Sequence, residues 1–313
     1  MNDLRQAVEN YLAIRRALGF ELRLPAGLLH RFAEFAESQH ASHITTDLAL
    51  RWAIQPSDAQ PSTWTWRLGI IRRFAAWHRA ADPRTEVPPG GLLPHRYRRK
   101  SPYIYSDKEI ERLMQEAGKL DSPKGLRAHT YRTLLGLLAV TGMRINEALH
   151  LDRQDVDLLQ GVLTIRRTKF GKSRLVPVHV STQKALKTYA ETRDRILPGL
   201  TTPAFFATDR GTRVTEWNAR YTFAKVSQKI GLRAGAGGHG RGPRLHDMRH
   251  RFAARTLVNW YRAGRDVEHE IPKLATYLGH VHVNDTYWYL EAVPELLQLA
   301  TERLVQKRRE AAS

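Results

Sequence analysis

The 313-residue chain contains no cysteine. That excludes disulfides, cysteine-ligated zinc fingers and a cysteine nucleophile, and it fits a reducing compartment. No run of 18 apolar residues occurs, and the opening MNDLRQAVEN holds no apolar signal core. Neither membrane insertion nor export is therefore expected, which leaves the cytoplasm. A Walker-type phosphate loop is missing, as is any cluster of acids suited to two metal ions, so the sequence carries neither of these signals of a nucleotide cofactor or a metal. Lysine is absent from residues 1–95, which carry 11 arginines against 9 acidic side chains.

Positive charge, by contrast, is plentiful. The formal net charge is +19, and residues 96–313 hold 39 basic against 22 acidic side chains. An excess concentrated in the second part of the chain calls for a polyanionic partner there. Apolar residues make up 42%, enough for real cores, and the length predicts two domains.

The first part reads as four helices. Leu4, Val8, Tyr11, Leu12 and Ile14 form an amphipathic stripe up to Gly19. A second helix is expected from Pro25 to about Ser38. A third is capped by Thr46 or Asp47, and a fourth opens at Ser62. Residues 82–102, with five prolines and two adjacent glycines, cannot sustain a helix and read as a linker. Its basic end holds Arg98, Arg99 and Lys100, candidate phosphate contacts. The expected domains are thus 1–81 and 103–313, joined by 82–102.

The second part starts with the capping pattern Ser106-x-x-Glu109, and an apolar helix covers 127–141. Strands at 161–167 and 174–178, joined through Phe170-Gly171-Lys172, predict one β-hairpin, with Pro177 marking an edge. Residues 234–243, AGAGGHGRGP, read as a loop. Helices are expected at about 246–262, 271–278 and 294–309. The fold class is mainly α with a small β-hairpin or sheet.

Several polar residues in this part suit phosphodiester chemistry. Arg144 and Arg249, each a two-pronged donor that stays charged, could grip the non-bridging oxygens. Glu147 stands one turn after Arg144 and could orient it. His246 and Arg249 are three apart and share a helix face; His246 could donate to a phosphate oxygen or manage a tyrosine's proton. Gly279 would end a helix in a left-handed turn and present His280. Tyr289 is a candidate nucleophile, with Tyr287 its rival. A phenol needs neighbouring cations or a base to attack. Lys169 at the hairpin turn could protonate a leaving oxygen, with Lys172 its rival, and Lys172 and Arg174 are candidate DNA contacts. Each residue alone has a plainer explanation in packing or solvation.

Taken in order, these segments resemble the tyrosine recombinases of the phage integrase family. TGMRINEAL resembles the first arginine box, with Arg144 and Glu147. RRTKFGKSRLVPV resembles the hairpin segment and puts Lys169 at the lysine position. LHDMRHRFA is close to the H-x-x-R box, giving His246 and Arg249. YLGHVHVNDTYWY resembles the LGH…Y segment, with His280 nine residues before Tyr289, a spacing that selects Tyr289 over Tyr287. The glycine-rich 234–243 stretch and the aromatic approach to Tyr289 depart from the pattern, which lies nearest the recombinases of transposons and integrative elements.

The resemblance implies a two-domain, C-shaped clamp on DNA, with a helical, SAM-like core-binding domain and a catalytic domain. It implies cutting and rejoining through a 3′-phosphotyrosyl link, without metal or ATP. It also implies a homotetramer on two recombination sites, a dimer on each, acting at the bacterial nucleoid. The amphipathic segment holding Leu296, Leu297, Leu299, Leu304 and Val305 would dock on a neighbour or pack on its own domain. A type IB topoisomerase, or a non-cutting DNA-binding protein of this fold, remains as an alternative.

Overall fold

The computed structural model describes residues 4–93, 102–166, 173–234 and 242–310. The chain divides into two compact units, Met1–Lys100 and Ser101–Ser313. Among the described residues no helix is long and apolar enough to cross a membrane.

The first unit packs four helices: α1 (Leu4–Ala17), α2 (Arg23–Ser38), α3 (Thr46–Ile54) and α4 (Pro61–His78). Their apolar stripes meet in a core of Val8, Leu12, Leu29, Phe32, Trp52, Ile71 and Phe74, all buried. Ile14, expected in the α1 stripe, is instead exposed. The α3 cap is Thr45, whose hydroxyl accepts from the Leu48 amide at 3.1 Å. Pro61, not Ser62, opens α4. Proline has no N–H to leave unpaired in a first turn, so it suits that position.

The stretch expected to act as a linker from residue 82 is tied to this unit at its start. Arg72 donates to the carbonyls of Pro88 and Pro89 at 2.6 and 2.8 Å. The Glu86 amide donates to Ile44, its carboxylate accepts from the Thr46 amide, and Val87 and Leu93 pack on the core. Prolines bar a helix here, but their carbonyls remain good acceptors, so the segment becomes a strap.

The second unit begins with α5 (Asp107–Ala117), whose capping box is complete: Ser106 accepts from the Glu109 amide, and Glu109 accepts from the Ser106 amide. There follow α6 (Leu126–Thr141), the short α7 (Ile145–Leu149), and strands β1 (Val156–Asp157), β2 (Val162–Ile165) and β3 (Arg174–Pro177). The sheet is antiparallel in the order β1-β2-β3, with Leu163 opposite both Val156 and Val176 and all three turned inward. A single hairpin was expected. The two-residue β1 is too short for any alternation to show in sequence, and it adds a third strand. Pro177 does lie on an edge strand.

The remaining helices are α8 (Val180–Ile196), α9 (Glu216–Lys229), α10 (Leu245–Arg262), α11 (Val267–Leu278), α12 (Asn284–Ala292) and α13 (Pro294–Glu310). Helix α11 starts four residues before the expected position. The Asp266 carboxylate caps it by accepting from the Glu268 and His269 amides, and Pro272 falls inside. The latter half of α10 packs with α11, α12 and α13 around Leu257, Ile271, Leu274 and Leu296. Leu296 and Leu299 of α13 therefore serve their own unit, while Leu297, Leu304 and Val305 remain exposed.

Candidate active site

The site forms where the end of α6, the start of α10, the turn after α11 and helix α12 converge. Helix α6 stops at Gly142, which adopts a left-handed conformation at φ 61°. A Cβ there would lie 2.6 Å from Cδ1 of Phe252. Only glycine lets the chain turn while resting on that ring. The turn aims the Gly142 carbonyl at Arg249 of α10, which donates to it at 2.9 Å and to the Leu278 carbonyl at 2.6 Å. Arg249 is 2% exposed. Burial first, then the nearby Arg144 cation, pulls its pKa down to about 10, against opposing pulls from Tyr289 and Glu147. It stays charged at neutral pH.

Arg144 caps α7 and is held at three points. Its amide donates to Glu147 Oε2 at 2.8 Å, one guanidinium nitrogen donates to Glu147 Oε1 at 2.8 Å, and another reaches the Gly279 carbonyl at 3.1 Å. Glu147 is gripped from the other side by Arg174 of β3, at 3.0 and 2.7 Å. Arg174 also donates to the Tyr277 carbonyl at 2.8 Å. Burial pushes the Glu147 carboxyl up, but the Arg174 and Arg144 hydrogen bonds and charges outweigh it and hold the pKa at about 2. One carboxylate thus sets two guanidiniums and ties the helix to the sheet.

Helix α10 is fixed from both ends of its first turns. Arg244 donates from its backbone to Asp247 at 2.7 Å, and the Tyr105 hydroxyl donates to the Arg244 carbonyl at 3.0 Å. Arg251 donates to the Tyr105 carbonyl at 2.9 Å and pairs with Asp107, as does Arg255. His246 is open to solvent, yet crowded by protein atoms and faced by Arg249, Arg244 and Arg144. Desolvation and those cations push its pKa down to about 4 against the pull of Asp247. At neutral pH its ring is neutral and can donate one N–H to an anionic oxygen.

His280 follows Gly279, which takes the left-handed turn at φ 68° expected of it. Its Nδ1 lies 2.7 Å from the buried Thr286 hydroxyl, and its ring stacks 6.4 Å from that of Tyr289 at 21°. Tyr289 is 2% exposed and sits on α12, its hydroxyl 3.1 Å from Nδ1 of His250. Tyr287 is exposed. Two residues along a helix is a rotation of roughly 200°, which turns one phenol toward the site and the other away.

Arg144, Glu147, His246, Arg249, His280 and Tyr289 are therefore neighbours, although 145 positions separate Arg144 from Tyr289 in the sequence. Residues 104–295 match the phage integrase family. The chain belongs to that family.

A protein named integrase/recombinase y4rB, from Sinorhizobium fredii, is 49% identical, with 98% of each chain covered. Tyrosine recombinase XerD of Neisseria meningitidis serogroup B is 28% identical, over 79% of this chain and 78% of its own. Among solved structures, the Tn1549 transposon integrase in complex with transposon right end DNA superposes with a TM-score of 0.68 at 16% identity, covering 97% of this chain and 99% of that one. The last comparison shows the shared fold.

One residue read as a DNA contact belongs elsewhere than the sequence reading put it, and five candidate residues fall outside the described part of the chain. Arg174, read as a DNA contact, is turned inward, because all three of its nitrogens are engaged by Glu147 and the Tyr277 carbonyl. Lys169, Lys172, Arg98, Arg99 and Lys100 lie outside the described residues, as does most of the 234–243 stretch. His250 was missed altogether. Its signal was available, since it stands four residues after His246 and so shares that helix face.

Proposed function

We propose that the chain is a DNA strand-transfer enzyme, a site-specific recombinase or integrase in which Tyr289 attacks a scissile phosphate. The observation that carries this is the convergence of two arginines, two histidines and a buried tyrosine from four separate segments. Arg144 and Arg249 take the non-bridging oxygens, whose charge grows in the pentavalent transition state. His246 and His280 donate to the same oxygens. Lys169 protonates the departing 5′-oxygen, leaving a 3′-phosphotyrosyl link and a free 5′-hydroxyl. A 5′-hydroxyl from a partner strand reverses the step, so bond energy is conserved.

Both units engage duplex DNA in this reading. Two protomers occupy each recombination site, and four complete the exchange. The exposed Leu297, Leu304 and Val305 of α13 offer a surface for a neighbouring protomer. The resemblance of its motifs to the recombinases of transposons and integrative elements favours work on a mobile element.

A suicide duplex, nicked beside the cleavage position, tests the chemistry. The wild type should give a denaturant-stable protein–DNA adduct, Tyr289→Phe none, and Tyr287→Phe the normal amount. An adduct that persists in Tyr289→Phe removes the nucleophile assignment. Relaxation of supercoils with no exchange between sites would make the protein a topoisomerase instead.

A further inference from the structure

We propose that His250 takes the phenolic proton from Tyr289 as its oxygen attacks phosphorus. The proposal rests on Tyr289 being the nucleophile. His250 stands one helical turn after His246 on α10, and the two rings meet edge to face with centroids 4.7 Å apart. It is buried, and its Nδ1 lies 3.1 Å from the Tyr289 hydroxyl oxygen. With the ring proton on Nε2, the phenol donates to Nδ1 at the separation a general base requires. The rings of Trp288 and Tyr289, centred 5.4 and 5.5 Å away, wall the imidazole on the α12 side.

His246 has different company. It faces Arg249, Arg244 and Arg144, the cations that gather the phosphate. The two imidazoles therefore divide two tasks: His246 donates to a phosphate oxygen, and His250 serves the nucleophile. The step balances. The Tyr289 oxygen–phosphorus bond forms as the phosphorus–O5′ bond breaks. The phenolic proton passes to His250 Nδ1, and O5′ receives a separate proton from Lys169. On rejoining, the attacking 5′-hydroxyl returns its proton to Lys169, and His250 returns its own to Tyr289.

The test is His250→Asn, whose carbonyl oxygen falls near the place of Nδ1. It keeps an acceptor for the phenol but supplies no base. Single-turnover cleavage of the suicide duplex should fall by roughly 10²- to 10⁴-fold, with DNA affinity and melting temperature unchanged. A duplex with sulfur in place of the scissile O5′ needs no general acid. It should restore Lys169→Ala and leave His250→Asn slow. Cleavage by His250→Asn at the wild-type rate, or its restoration by the sulfur substrate, overturns the proposal. If His250→Asn does not fold, His250→Gly with added imidazole takes its place: recovered cleavage is expected, and a folded, DNA-binding glycine variant that imidazole fails to revive overturns it. Loss of the adduct in Tyr289→Phe together with a normal His250→Asn sinks this proposal alone, whereas an adduct in Tyr289→Phe sinks the nucleophile reading beneath it.

Discussion

Replacing Glu147 with glutamine removes one negative charge from between two guanidiniums and leaves the shape almost unchanged. The side chain is 7% exposed and accepts from the Arg144 amide and from both arginine side chains. Its pKa is held at about 2, against an ordinary 4.5, and a depression of that size links to roughly 3 kcal/mol of stability. The folded pKa is the lower one, so this stability is complete above about 4.5 and is lost as the pH falls through about 2. Breaking a buried pair at neutral pH costs roughly 3–5 kcal/mol. Arg144 is 32% exposed, and water screens its share, so about 2–4 kcal/mol is expected for Glu147→Gln. Hydrogen exchange on peptides covering 142–150 and 173–178 reads this locally, without averaging over the other unit. The variant should lose protection by that amount at neutral pH and should lack the wild type's acid-linked decline between about pH 4.5 and 2. A variant within about 0.5 kcal/mol of wild type, or one with the same acid slope, would refute the reasoning.

Other outcomes follow from the same geometry. Gly142→Ala forces a Cβ against Phe252 in a left-handed conformation; it should destabilise the second unit by roughly 1–3 kcal/mol in thermal melts and impair cleavage more than DNA binding. Arg249→Lys cannot hold the Gly142 and Leu278 carbonyls together with a phosphate, so adduct formation should fall by roughly 10²- to 10³-fold in single-turnover assays. His246 has a folded pKa of about 4, below its unfolded value of about 6.5. Stability should therefore decline as the pH drops from the upper figure to the lower, and His246→Gln should remove that component from acid-dependent unfolding curves. DNA affinity, measured by titration at rising salt, should fall steeply between roughly 50 and 200 mM; a flat response would contradict phosphate-dominated binding.

Much of this molecule was legible in its sequence because the signals are local. The Ser106 capping box, the Gly279 turn and the three-residue spacing of His246 and Arg249 all act within one helical turn, and each stands as read. What escaped depends on contacts far along the chain. Arg174 looks like one more surface cation until Glu147, 27 positions earlier, is seen to claim it. The spacing of His250 from His246 is local, but its contact with the Tyr289 hydroxyl, 39 positions later, is not. The aromatic run TYWY suits a strand as well as a helix by propensity, and packing of α12 against α10 and α13 settles the matter. The strap after residue 82 shows the same limit: composition barred a helix there but carried no sign of Arg72 waiting for two proline carbonyls.

The arginines of the site share a habit with wider consequences. Arg249 ends on the Gly142 and Leu278 carbonyls, Arg144 on that of Gly279, and Arg174 on that of Tyr277. A main-chain oxygen can be supplied by any amino acid. The cradle therefore constrains the path of the chain far more than its letters. It dictates the charged side chains, and it dictates glycine at the two left-handed turns. Most other positions around it are free to drift as long as the backbone returns to the same place. That gives a physical route by which two chains only 16% identical can superpose with a TM-score of 0.68: the fold fixes a trajectory, and the spelling along it can differ.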